Sequence, residues 1–217
     1  MAHAATDDPK PMSNARIEPD DPCLKVSAVD ALRSATWPAH QQLEKRLDVK
    51  KRFTDPHAYR SHLEKMWGFC AALESGLGQK VFGAALPDYD QRRKLPLITR
   101  DLVALGAEAD FIARLPRCIA VPASRETAAA FGCVYVFEGA TLGGRTLLPL
   151  VQRQLGLTED HGAAFLASYG ENVTPMWNEF RAGLDAWCAT PARCARATQS
   201  AVDTFKSLES WLCGDPC

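Results

Sequence analysis

This chain of 217 residues lacks any apolar run near the roughly 18 residues that a membrane span requires, so a spanning helix is not expected. It also lacks a charge excess: 25 Lys and Arg stand against 26 Asp and Glu, for a formal charge of −1. Nothing therefore pulls the whole molecule toward nucleic acid or anionic lipid, and any anion site must be local. Eight cysteines are present without a single C-x-x-C, which is not a zinc pattern. A disulfide framework is a poor reading as well, because such frameworks belong to small secreted domains without a sizeable core. Reduced thiols are expected, and with an N-terminus that has no apolar signal-peptide region they imply a cytoplasmic protein. No G-x-G-x-x-G marks a built-in nucleotide site, and no repeated Glu-x-x-His unit marks a di-iron bundle. Alternating runs of β-branched residues and internal repeats are missing too, which leaves an all-α chain.

What is there suits a single packed domain: 47% apolar and 24% charged residues are close to globular averages. Residues 1–25 hold Pro9, Pro11, Pro19 and Pro22 among polar residues and read as a flexible arm. The domain is expected over residues 26–217. Val29, Leu32, Ala35, Ala39, Leu43 and Leu47 recur at helical steps, with Pro38 marking either a kink or a fresh start capped by Thr36. Asp55-Pro56 has the form of an N-cap followed by a first-turn proline, opening a helix that Gly76 and Gly78 stop. Short helices are expected between Pro87 and Pro122, a long buried helix over residues 124–155, and two closing helices over about 170–189 and 192–212.

Two stretches stand out chemically. Within Tyr135-Val136-Phe137-Glu138-Gly139-Ala140-Thr141-Leu142-Gly143-Gly144-Arg145, each glycine inside an apolar helix costs about 1 kcal/mol relative to alanine, so something must compensate. Gly139 and Gly143, one turn apart, fit close helix packing by their spacing, while Gly144 favours a bent helix whose bare backbone faces a flat ligand. The second stretch carries His40 at the edge of the apolar stripe, where an imidazole is either a core residue or a ligand.

Together these stretches resemble the heme oxygenases. Leu32-Arg33-x-Ala35-Thr36-x-x-x-His40-x-x-x-Glu44 looks like that family's first helix, whose histidine is the proximal iron ligand and whose basic residue seven positions earlier lies near the heme propionates. Glu138-Gly139-Ala140-Thr141-Leu142-Gly143-Gly144 resembles the distal helix, especially that of bacterial members found beside bacteriophytochromes. Phe165-x-x-x-Tyr169-Gly170, Trp177-x-x-Phe180 and Thr204-Phe205 through Trp211-Leu212 extend the likeness over about residues 27–213. The resemblance implies an all-α fold holding heme between the first helix and a kinked glycine-rich distal helix. It implies His40 as the iron ligand, Gly139, Gly143 and Gly144 at the reacting face, and Arg33 near the propionates; Thr141, Arg181 and Phe205 are further candidates around the heme, with Arg33 and Arg181 otherwise reading as solvated helix-face residues and Phe205 as an ordinary core residue.

The activity so implied is O2- and electron-dependent cleavage of heme to biliverdin, carbon monoxide and ferrous iron, with heme both substrate and cofactor. Electrons would come from an external reductase or ferredoxin, and a bacteriophytochrome is the implied receiver of biliverdin. A neutral imidazole gives iron less electron push than a thiolate, which suits attack on the porphyrin itself. One departure matters: mammalian-type members carry aspartate directly after the first distal glycine, where this chain has Ala140. Thr141 or Glu138 could substitute, each otherwise reading as a helix-face residue or a surface carboxylate. Arg145 is expected to reach solvent or pair with a carboxylate. His57, His62 and His161 read as surface residues, with His57 and His62 on different faces, and His3 falls in the arm. Two other readings stay open: a non-catalytic heme carrier on the same fold, and a helical partner-binding protein whose Gly139/Gly143 face packs against another helix.

Overall fold

The computed structural model describes residues 27–122 and 125–214, and the expected N-terminal arm lies outside them. Among the described residues there is no β-strand, and the chain is helical as expected. Five long helices carry the fold: α1 (Ala28–Leu47), α3 (Pro56–Ser75), α8 (Thr127–Leu155), α10 (Val173–Trp187) and α11 (Pro191–Cys213). Six short ones connect them: α2 (Val49–Arg52), α4 (Gln79–Phe82), α5 (Tyr89–Arg92), α6 (Leu95–Ala104), α7 (Ala109–Ala113) and α9 (Ala164–Ala167). No helix among the described residues is long and apolar enough to cross a membrane.

The local chemistry of the chain sets the helix ends. Ser27 caps α1 by accepting the Asp30 N–H at 3.1 Å, and Asp55 caps α3 by accepting that of Ala58 at 2.7 Å, just before Pro56. α1 runs unbroken through Pro38. The Thr36 hydroxyl donates to Leu32 O at 2.7 Å within the running helix, so Thr36 starts no new one. α8 ends at Gly156, whose left-handed φ of 67° is a conformation that glycine adopts without Cβ strain.

Helix α11 packs closely against both α8 and α1, whereas α1 and α8 hardly touch each other. The α8–α11 crossing is tight at Gly132, where a Cβ would stand 2.1 Å from Ala197 O. α9 is fixed by Asp101 of α6, whose buried carboxylate accepts the N–H groups of Ala164 and Phe165 at 2.7 Å each. The Tyr59 hydroxyl donates to Gly162 O at 2.9 Å and holds the entry to that turn. These ties bring α9 against α8 and leave a slot between α1 and α8.

Candidate functional site

The slot is a cavity of about 540 Å³, within the range of pockets that enclose a sizeable organic ligand. One face of α1 lines it from Val29 through Arg33 and His40 to Leu47, and α8 lines it from Tyr135 to Leu147. His40 is half-exposed. Its ring lies parallel to that of Trp37, with centroids 5.8 Å apart, and meets the Phe205 ring edge-on at the same distance. Nδ1 is buried without a hydrogen-bond partner among the described residues, 3.6 Å from the Glu44 carboxylate, so Nε2 is the nitrogen left accessible. Phe205 is thus at once a buried core residue and a wall of the cavity.

The glycines of α8 divide by what surrounds them. A Cβ on Gly139 or Gly143 would meet nothing within 4 Å, so the expectation from their spacing that these two pack against a helix is overturned. Both line the cavity with bare backbone. Gly144 also lines it, yet a Cβ there would stand 2.5 Å from Leu166 O, making Gly144 the point of close approach to α9. Thr141 lines the cavity with its hydroxyl donating to Glu138 O at 2.7 Å.

Arg33 and Arg181 line the same cavity and are exposed, and neither pairs with a carboxylate among the described residues. The Val29 N–H donates to Asp185 Oδ1 at 3.1 Å, tying α1 to α10 one turn from each arginine. Arg145 points to solvent, 3.3 Å from the Thr174 hydroxyl.

The family profile described as heme oxygenase matches residues 26–213. The chain belongs to the heme oxygenase family. A curated heme oxygenase of Xanthomonas campestris pv. campestris (strain 8004) is 28% identical over 162 residues, covering 74% of this chain and 92% of that protein. Its fold resembles that of the NO- and CO-bound heme oxygenase of Neisseria meningitidis, with TM-score 0.72, 24% identity, and coverage of 86% of this chain and 90% of that one. The heme oxygenase of Leptospira interrogans gives TM-score 0.66 at 18% identity, covering 86% of this chain and 98% of that one. The slot in this heme oxygenase fold therefore belongs to a member of an enzyme family.

Two residues of the heme oxygenase fold depart from expectation. Glu138 is not a surface carboxylate: its side chain is 0% exposed. It accepts Arg92 Nη1 at 2.6 Å, Lys94 Nζ at 3.0 Å and the Tyr169 hydroxyl. His62 is buried rather than on the surface, because the apolar face of α3 is wide enough to take it in beside Tyr59, Leu63 and Met66. It lines the cavity edge-on to Phe53, ring centroids 5.1 Å apart, with Nδ1 unpartnered. Burial, reinforced by Arg52 and Lys65, pushes its pKa down to about 3 and keeps the ring neutral. His57 and His161 are exposed as expected.

Sequence reasoning missed Arg92 and Lys94. The signal was the cationic run Arg92-Arg93-Lys94 directly against Leu95-Pro96-Leu97, where cations must be either solvated or paired. It also missed Trp37, whose parallel ring orients that of His40.

Proposed function

We propose that this chain is a heme oxygenase that holds heme in the slot between α1 and α8 and opens it to biliverdin, carbon monoxide and ferrous iron, with electrons from an external reductase or ferredoxin. The observation that carries this reading is a cavity lined by an accessible imidazole nitrogen on one helix and by two positions without side chains, facing open space, on another. Heme bound there supplies the iron centre for O2 and electrons and is itself the substrate.

The chain's own residues do the rest. His40 Nε2 is the donor to iron, with its ring plane fixed between Trp37 and Phe205. Gly139 and Gly143 let the α8 backbone approach the macrocycle and confine what lies over it, as no larger residue could. Arg33 and Arg181, both without a carboxylate partner among the described residues, bind the propionates and set the orientation of the ring. Thr141 commits its proton to Glu138 O, so toward the cavity its oxygen is an acceptor.

Titration of the purified protein with hemin is expected to give a one-to-one complex with a Soret band, and ascorbate or a ferredoxin system under air is expected to convert it to a biliverdin spectrum. A complex without turnover would mean a carrier, and no complex would refute the reading. His40→Ala is expected to lose axial ligation and turnover while its circular dichroism and melting stay near wild type, since the side chain is 43% exposed. Arg33→Glu is expected to weaken hemin affinity or redistribute the biliverdin isomers, as read by titration and chromatography.

A further inference from the structure

A second, much smaller cavity of about 20 Å³ lies among α3, α8 and the segment 89–94. That volume suffices for one water molecule, provided polar partners are at hand. Two are: Tyr89 and Arg92 line it, and the Tyr89 hydroxyl and Arg92 Nε are buried without a partner among the described residues. Leaving both unsatisfied in a buried site is costly, and a bridging water offsets that cost.

Lys94 lines this small cavity and the large one alike. Its side chain is 3% exposed, and Nζ donates to Glu138 Oε1 at 3.0 Å and to the Tyr169 hydroxyl at 2.6 Å. An ammonium has three protons to donate, so one remains uncommitted among these contacts. Burial and the neighbouring Arg92 push the Lys94 pKa down, while Glu138 pulls it back up. Across the network, Tyr169 and Tyr89 are kept protonated by burial, and Arg92 also pairs with Asp88 at 2.6 Å. Glu74 borders the small cavity, accepts the Lys94 N–H at 2.7 Å, and pairs with the partly exposed Arg93 at 3.0 Å, which gives the cavity an edge toward solvent. Within the large cavity, Ala140 offers no proton, and Thr141 has spent its own.

We propose that Lys94 hands protons into the large cavity and is recharged by a water held between Tyr89 and Arg92, a role that rests on the heme reading above. Lys94 gives one N–H proton to a basic oxygen of the ligand held in the large cavity, whose lone pair forms the new O–H bond, and becomes a neutral amine. The amine takes a proton from the water, which regains one from solvent past the Glu74–Arg93 pair. One proton crosses, and every residue ends in its starting state. Arg92 and Tyr169 hold the Glu138 carboxyl group in place through their hydrogen bonds, so they act as positioning residues.

Lys94→Arg is the discriminating variant, because a guanidinium keeps the ion pair with Glu138 but does not give up a proton. It is expected to bind hemin with a wild-type Soret band and to melt, as apoprotein, close to wild type, yet to form biliverdin about 100-fold more slowly, the range lost when a general acid is removed. Lys94→Met is expected to be equally slow. Wild-type turnover in Lys94→Arg, with an unchanged pH profile, would overturn the proposal while leaving heme binding intact. A wild-type protein that forms no Soret complex would instead bring down the heme reading. Should the Lys94 variants fail to fold, Tyr89→Phe, which removes no charge, is expected to slow turnover without altering hemin affinity, and wild-type turnover there would refute the relay. Independently of heme, a high-resolution crystal structure of the apoprotein is expected to show a water within hydrogen-bond reach of Tyr89 Oη and Arg92 Nε, and an empty or collapsed cavity would overturn it.

Discussion

His40 and His62 are the same residue in two different physical situations. His40 keeps one nitrogen accessible on a half-exposed ring, whereas His62 is enclosed by α3 and Phe53 and stays neutral. For His62, a depression from 6.5 to about 3 corresponds to roughly 5 kcal/mol of folding stability that depends on pH. That stability is fully present above pH 6.5, where the unfolded chain is neutral too, and is lost as pH falls from 6.5 toward 3 and the unfolded chain takes up the proton first. His62→Leu is therefore expected to melt higher than wild type at about pH 4.5 and to differ little at about pH 7.5, as followed by circular dichroism. The sequence shows that position 62 is a histidine three residues from Tyr59 and four from Met66. It does not show how wide the buried face of α3 is, since the neighbours that close over His62 come from elsewhere in the chain.

At the scale of the element, α8 carries four glycines with two different duties. Gly132 and Gly144 are places where another backbone comes close, at Ala197 O and Leu166 O. Gly139 and Gly143 face open space. Gly144→Ala is expected to lower stability by about 1–3 kcal/mol in chemical denaturation, because the new methyl must displace a carbonyl. Gly143→Ala is expected to be neutral or to gain up to about 1 kcal/mol from helix propensity alone. Gly143→Leu should keep the fold and obstruct the cavity, seen as lost hemin binding or turnover, and full activity in that variant would mean that another part of the chain lies over the iron. The four-residue spacing of Gly139 and Gly143 argues for packing when read on one helix alone. The structure reverses it because α11 holds α1 away from α8, and among the described residues no helix stands where a partner would be.

Across the whole molecule, a buried network joins α5, the start of α6, α8 and the turn after α9 through Arg92, Lys94, Glu138 and Tyr169. Glu138→Gln leaves Arg92 and Lys94 without their shared buried carboxylate, and a loss of about 3–5 kcal/mol is expected in urea denaturation. Removing the exposed Arg100–Asp160 pair should change little, since exposed pairs are screened and flexible. Helix periodicity, the capping signal at Asp55 and the apolar stripes are local properties, legible without coordinates along with the motifs by which His40 and the glycines resemble those of the heme oxygenases. Only the tertiary structure decided that Gly139 and Gly143 face a cavity, that Glu138 and His62 are buried, and that Lys94 borders two cavities. The reason is physical: helix propensity and face depend on residues three or four apart, whereas burial, pairing and open space depend on segments tens of residues away that meet only when the chain is folded.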